Sequence, residues 1–314
     1  MAYVIVAVAL LLLTVKGYSG KKTSCYAQGT SDAFLFNLIR MLLCSLIGII
    51  LVFAEDSQYF LELEPRMLII CALAGIANAV FVATWFLSIQ HNSLVSVDVS
   101  LTLGSIIPAV LCATLFGEAI SLPKMIGFVL ILFATLILST HSKQSAKTNV
   151  TAMLLLILPA IGDGMVGFAQ QLYRIYYTET GSLTHGVYYP KTIYHFYTYI
   201  FAALILLVIL IAYQTLFSKK ANTHESTRRS VSVPPYVIMH IVIMAACLFA
   251  SNYLQTIATN DYGMSSQVLY PITKGGCLIT ANIVGMLFFG EKMTIRSFFG
   301  TLVALVGIIS MSIL

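Results

Sequence analysis

Charged residues are scarce in this chain. They make up 9% of 314 residues, against 59% hydrophobic, and the mean hydropathy is +0.92. A soluble domain usually carries about 25% charged residues, so this composition excludes an ordinary water-soluble globular fold. Carboxylates are scarcer than bases, 12 against 17, which gives a net charge of +5. The bases sit between apolar runs with no clustered basic and aromatic surface, so a nucleic-acid partner is not expected. Cysteine is limited to six scattered residues without CxxC spacing or a neighbouring histidine pair. That pattern offers no disulfide framework and no metal site, and Cys44, Cys71, Cys112, Cys247 and Cys277 read instead as small core residues. Catalytic signatures are missing too. There is no HExxH for zinc and no GxSxG elbow, and Gly162-Asp163-Gly164 lacks the Gly-x-Gly-Asp order of an intramembrane aspartyl protease. With no GxxxxGK[ST] loop, neither an enzyme nor a bound cofactor is expected.

What the chain has in abundance is apolar runs of helical length. A bilayer core about 30 Å thick takes about 20 apolar residues per helix. Continuous hydrophobicity bounded by polar or turn residues predicts spans at 2–15, 33–54, 66–89, 93–115 and 122–140, then 149–173, 192–217, 234–257, 263–289 and 294–313. The first run has no basic residue before it and no small-residue cleavage site after it, so a retained helix is expected there. If Gly17 and Gly20 correspond to Gly164 and Gly167 in the sixth span, helix 1 continues through Lys21-Lys22, with Lys16 near its wet end. The connections 174–191 and 218–233 are the longest, and neither is large enough to form a domain.

The organising stretch is Tyr270 to Glu291, an apolar run interrupted by Pro271, Lys274, Gly275 and Gly276 and closed by Gly290-Glu291. Moving back 173 positions gives Val97 to Glu118, with Gly117-Glu118 under Gly290-Glu291 and Gly104 beside Gly275-Gly276. Beyond the turn GEAISLPKMIGF and GEKMTIRSFFGT align without a gap, so Gly127 falls on Gly300, and upstream Ser93 falls on Ser266. The expected fold class is an all-α integral membrane protein of ten transmembrane helices, built from two repeats of five, 1–145 and 146–314. Five is odd, so the second repeat crosses the membrane with the opposite sense, which makes an inverted 5+5 repeat. Lysine and arginine near the span ends number eleven in the odd connections and four in the even ones, which places the odd connections in the cytoplasm and both termini outside.

Pro108, Gly117-Glu118 and Gly127 in the first half, with Gly290-Glu291 and Gly300 in the second, make the chain resemble the drug/metabolite transporter superfamily. The resemblance is to its EamA-like ten-helix permeases, and it covers the whole chain. Ala281 stands where Pro108 stands in the first repeat, and the family's usual cytoplasmic termini are the reverse of the charge count. The resemblance implies a secondary transporter of small organic metabolites or drugs, working by alternating access in the plasma membrane. Without a nucleotide loop, uphill transport would draw on an ion gradient or on exchange. The partners implied are a small-molecule substrate, the lipid bilayer and a coupling proton or cation; assembly as a homodimer is left open. An ion- or lipid-handling protein on the same fold is the alternative.

Site candidates follow from burial of charge, because an ionisable group at mid-membrane costs about 2.5–3.5 kcal/mol on insertion scales. Arg40, Asp98, Asp163, His195, His240 and Lys274 lie inside spans. Under the repeat offset Lys274 corresponds to Leu101, one helical turn from Asp98, so acid and base occupy similar depths on related helices. Both are expected to face a central cavity, Lys274 attracting an anionic group and Asp98 binding a cation or a proton. The competing reading is a structural ion pair, or an Asp98 that snorkels to the membrane surface. Tyr270 and Thr273, on the interrupted run, join that set. Trp85, Gln170, Gln171, Tyr173, Tyr194, Tyr197, Asn252 and Gln255 are further amide and aromatic candidates, and Arg40 either lines the cavity or snorkels. Glu118 and Glu291 are expected to cap the helices after their turns.

Overall fold

The structure, a computed structural model, describes residues 1–27, 29–55, 60–92, 94–117, 120–139, 150–182, 189–221, 233–264, 266–290 and 294–312. Among these it is all-helical. The elements are α1 (Ala2–Ser24), α2 (Thr30–Ala54), α3 (Pro65–His91), α4 (Leu94–Gly104), α5 (Ile106–Phe116), α6 (Leu122–Ser139), α7 (Val150–Ser182), α8 (Lys191–Ala221), α9 (Pro235–Asn260), α10 (Ser266–Phe289) and α11 (Ile295–Ser312). Eight helices are long and apolar enough to cross a membrane, with α4 and α5 together forming one of them. Leu122–Ala134 and Phe298–Ser310 are shorter apolar helices. This is an α-helical, multi-pass membrane protein.

Local chemistry explains the boundaries. Pro65 and Pro235 open α3 and α9, where a missing N–H leaves no bond unmade. Gly117 and Gly290 stop α5 and α10 with φ of 68° and 64°, the left-handed conformation that glycine adopts without a Cβ clash. The Glu118 and Glu291 that follow them lie outside the described residues. On α2, Leu35, Ile39, Leu42, Leu46, Ile50 and Phe53 are exposed at helical spacing, a stripe suited to lipid.

The two helices expected to be interrupted differ. Span 4 breaks at Ser105, because Pro108 lacks the N–H that would bond the Gly104 carbonyl and its ring crowds that carbonyl. Span 9 does not break: α10 runs unbroken through Pro271, Gly275 and Gly276, correcting the expectation. Pro271 is the sixth residue of α10, so the bond it removes lies in the second turn, and the helix continues without it. The glycines serve packing instead. A Cβ on Gly276 would collide with Leu10 of α1, and one on Gly275 would meet Ile308 of α11 at 3.0 Å.

Packing pairs α1 with α9, α3 with α7, α2 with α8 and α6 with α11, and α4 lies against both α7 and α10. The largest apolar cluster surrounds Trp85, Phe86, Tyr199, Leu248 and Phe249. Connections sort to two ends. At one, Thr192 Oγ1 donates to Glu55 at 2.6 Å, Tyr176 OH donates to Glu64 at 2.8 Å, Lys191 pairs with Asp261 at 2.8 Å and Ser310 Oγ donates to the Pro123 carbonyl at 2.7 Å. Tyr189, outside the spans, donates there to the Glu62 carbonyl, and burial raises its phenol above the ordinary tyrosine range. At the other end Lys21 Nζ donates to the carbonyls of Ile89 and Asn92, at 2.7 and 2.9 Å, closing the end of α3.

Candidate functional site

The interior is joined by a polar seam between α7 and α10. Asp163, Gly167 and Gln170 share one face of α7 by their i, i+4, i+7 spacing. On α10, Lys274 Nζ lies 2.5 Å from Asp163 Oδ2, with the two side chains only 16% and 11% exposed. One turn earlier Tyr270 OH donates to Gln170 Oε1 at 2.5 Å, and a second contact reaches the Gly167 carbonyl at 3.2 Å. Gly167 permits this approach, since a Cβ there would stand 3.1 Å from the tyrosine ring.

Lys274 therefore does not take Asp98 as its ion-pair partner, as the repeat offset suggested; the partner is Asp163. The offset matches depth along related helices and is silent on which helix packs beside α10. The glycines decide that. Gly104 and Gly164 remove the side chains between α4 and α7, a Cβ on Gly164 falling 2.5 Å from the Gly104 carbonyl, and this draws α7 toward the centre.

Beside the seam, toward the Lys21 end, lies a cavity of about 40 Å³ bounded by α1, α3, α4 and α10. A space of that size holds roughly three water molecules. Lys16, Gly17, Trp85, Asp98, Lys274 and Thr280 contribute to its wall, together with apolar Leu13, Leu94, Leu101, Ala281 and Val284. Asp98, Lys274 and Trp85 thus meet at one cavity. Lys16 joins them, which corrects its expected wet location. It is 7% exposed, and its Nζ lies 5.2 Å from the Phe81 ring centroid and 5.1 Å from that of Trp85. Gly20, one turn further along α1, leaves room for the indole, because a Cβ there would collide with it. Arg40 is fully buried on the far side, its guanidinium carbon 5.6 Å from the same indole. It does not snorkel. Only Nη1 has a hydrogen bond, 3.4 Å to Asn37, while Nε and Nη2 have none among the described residues.

A second, smaller cavity of about 10 Å³ lies toward the opposite end, lined by Asn78, Val166, Gln170, Tyr194, His195, Thr198, Tyr199 and Asn252. Gln170 Nε2 donates to Thr256 Oγ1 at 2.6 Å, and Thr256 in turn donates to the Asn252 carbonyl at 3.0 Å. With the threonine proton so used, His195 Nε2, 3.0 Å from the same oxygen, is the donor in that contact. Asn252 Nδ2 donates to Tyr199 OH at 3.0 Å. Asn78 Oδ1 has no hydrogen-bond partner among the described residues, although it lines this space, and Thr198 Oγ1 lies against the Tyr194 hydroxyl without a well-formed hydrogen bond.

The remaining candidates sit apart from the two cavities. Thr273 is buried but donates to its own helix, at the Leu269 and Tyr270 carbonyls. Gln255 does the same, through Nε2 to the Ser251 carbonyl, and Gln171 is buried without lining either space. His240 contacts Ser19 at 3.4 Å. Reasoning from sequence gave no binding role to Lys16, Tyr199 or Thr198, and it recognised Asp163 only as an intramembrane acid; Tyr194, an aromatic candidate, does line the second cavity. A signal for the first was present: the alignment of Gly17 and Gly20 with Gly164 and Gly167 puts Lys16 in the place of Asp163. Among the described residues no group of three histidines, cysteines or carboxylates could hold a metal.

Neither a protein-family model nor a curated protein matches this chain. Solved structures do, 25 chains in all. One of them, described only as a crystal structure of a protein, aligns with a TM-score of 0.67 at 11% identity over 98% of this chain and 95% of its own. At that identity the likeness is one of architecture alone.

Proposed function

We propose that the protein is a secondary transporter of small organic solutes, an EamA-like permease of the drug/metabolite transporter superfamily working by alternating access in the plasma membrane. The observation that carries this reading is the placement of two cavities, each with polar side chains in a largely apolar wall, toward opposite ends of one bundle, with the α7–α10 seam between them. Lys274 belongs to the seam and to the first cavity, and Gln170 to the seam and to the second. A rocking of one set of helices against the other would widen one cavity while the seam holds the other shut. A buried oxygen at Asn78 with no hydrogen-bond partner among the described residues supports a site that a polar solute completes.

An inverted repeat of two five-helix halves, with α6 and α11 as the two shorter crossings, underlies the proposal. The packing partners support it: the contact of α1 with α9 across the halves is answered by that of α7 with α3, while α2 meets α8 and α6 meets α11, each with its counterpart. The paired left-handed glycines at 117 and 290 add to this.

Purified protein in liposomes, assayed with labelled organic acids, amines, amino acids and neutral solutes, tests the reading. Saturable, protein-dependent uptake of at least one class is expected. Uptake no faster than in empty liposomes for every class, or a rate rising linearly with concentration, would remove it.

A further inference from the structure

Among the described residues three cations and two carboxylates are held within the bundle: Lys16, Arg40 and Lys274 against Asp98 and Asp163. One positive charge is in excess. A buried charge without a counter-charge is unfavourable in a low-dielectric interior, so the site is incomplete as it stands. The excess can be located. Lys274 is paired with Asp163 at 2.5 Å and also feels Asp98, and Arg40, over the indole, is not part of the cavity wall. Lys16 is at the wall and more than nine-tenths buried; its ammonium lies over the faces of Phe81 and Trp85, shares Asp163 with Lys274 at longer range, feels the cations of Arg40 and Lys274, and has no hydrogen bond or ion pair of its own among the described residues. Aromatic faces stabilise a cation by about 2 kcal/mol when desolvated and satisfy none of its three hydrogen-bond donors.

Resting on the transport reading above, we propose that Lys16 is the anion-recognition residue of the first cavity and that the substrate is a small organic monoanion, a carboxylate with a short apolar body. A single negative charge balances the interior, whereas a phosphate dianion would overshoot it. The body is specified by Leu13, Leu94, Leu101, Ala281 and Val284, which form the apolar side of the same cavity. Lys274 then serves as a gate held by Asp163 and not as the first contact for the anion. Trp85 acts through Lys16, fixing where the ammonium points.

The test measures binding apart from flux, so that the two readings can fail separately. Detergent-solubilised protein is titrated with straight-chain monocarboxylates from acetate to hexanoate, the matching primary amides and the matching alkylamines, and apparent stability is followed. Expected is stabilisation by one or more carboxylates and by no amide or amine. Lys16→Met should weaken that binding about ten- to a hundredfold, the loss of one charge-assisted hydrogen bond, while its unliganded stability holds or rises. Lys16→Arg, which keeps the charge if the methionine variant fails to fold, should bind carboxylates more weakly than wild type and still reject amides. Stabilisation by amines or amides, no stabilisation by any carboxylate, or carboxylate affinity in Lys16→Met within twofold of wild type would each overturn the proposal. Carboxylate binding that depends on Lys16, without carboxylate flux, would sustain the site and refute transport.

Discussion

A pair of opposite charges in a membrane interior is fragile in a specific way. Removing one member leaves the other buried and unpaired, which destabilises by about 3–5 kcal/mol, whereas replacing both with apolar side chains is often neutral. Asp163→Asn should therefore lower the melting temperature and folded yield sharply, and Lys274→Ala should do the same. The double variant Lys274→Met with Asp163→Leu should regain wild-type stability or better and still carry no solute. A double variant that transports normally would reduce the pair to a structural contact. Trp85 is the other residue whose effect can be stated in advance, since it faces both Lys16 and Arg40. Trp85→Leu should cost about 3–5 kcal/mol, from lost volume and two lost cation contacts, and Trp85→Phe clearly less. Equal melting temperatures for the two variants would show that the ring's electrostatics contribute nothing. At this scale the sequence was partly legible. Arg40, Asp98, Asp163 and Lys274 stood out because charge is rare in such runs, but Lys16 was hidden by its neighbours Lys21 and Lys22, which made the whole helix end look wet.

Helices in lipid approach closely only where side chains are small, and that governs the second set of expectations. A Cβ at Gly104 would fall 2.6 Å from the Ala160 carbonyl, a backbone atom that cannot step aside, while one at Gly17 meets nothing within 4 Å. Gly104→Ala should thus destabilise by about 1–3 kcal/mol through overpacking of α4 on α7. Gly17→Ala should leave stability unchanged or raise it by about 1 kcal/mol, the helix-propensity gain, while narrowing the cavity it lines. Matched thermal melts of the two variants decide the matter, and equal losses would contradict the close-packed seam. Helix existence was readable because a run of some 20 apolar residues has no other stable fate in a bilayer. Continuity was read only in part. The helix breaks before Pro108, yet α7 runs on through Pro159 and α10 through Pro271, so a proline in the sequence does not by itself fix a break.

For the whole molecule, the charge count and the grouping of connections bear on orientation. Moving Lys16 from the connection into the bundle leaves ten basic residues in the odd connections against four in the even ones, the original eleven less one. The bias still places the odd connections in the cytoplasm. Cys25, at the end of α1, is the one exposed cysteine among the described residues, and Tyr262 is an exposed position near the opposite end. An impermeant thiol reagent should label Tyr262→Cys in intact cells and reach Cys25 only after permeabilisation. Labelling in the reverse order would invert the protein. Gly117 and Gly290, aligned in the sequence, share a left-handed conformation, which supports the proposed two halves without establishing them; the joining of α7 to α10 was not legible, because it depends on packing between helices far apart in sequence.

The central claim is that one site is opened alternately to the two sides, and exchange across a vesicle membrane tests it most directly. Liposomes preloaded with an unlabelled solute that the protein takes up, then diluted into a trace of the same solute labelled, should accumulate label faster and higher than unloaded liposomes. In a carrier the return of a loaded site outpaces that of an empty one, and the Lys274→Met, Asp163→Leu double variant should abolish the effect. Uptake unchanged or slowed by internal solute, with wild-type protein folded and inserted, would contradict alternating access.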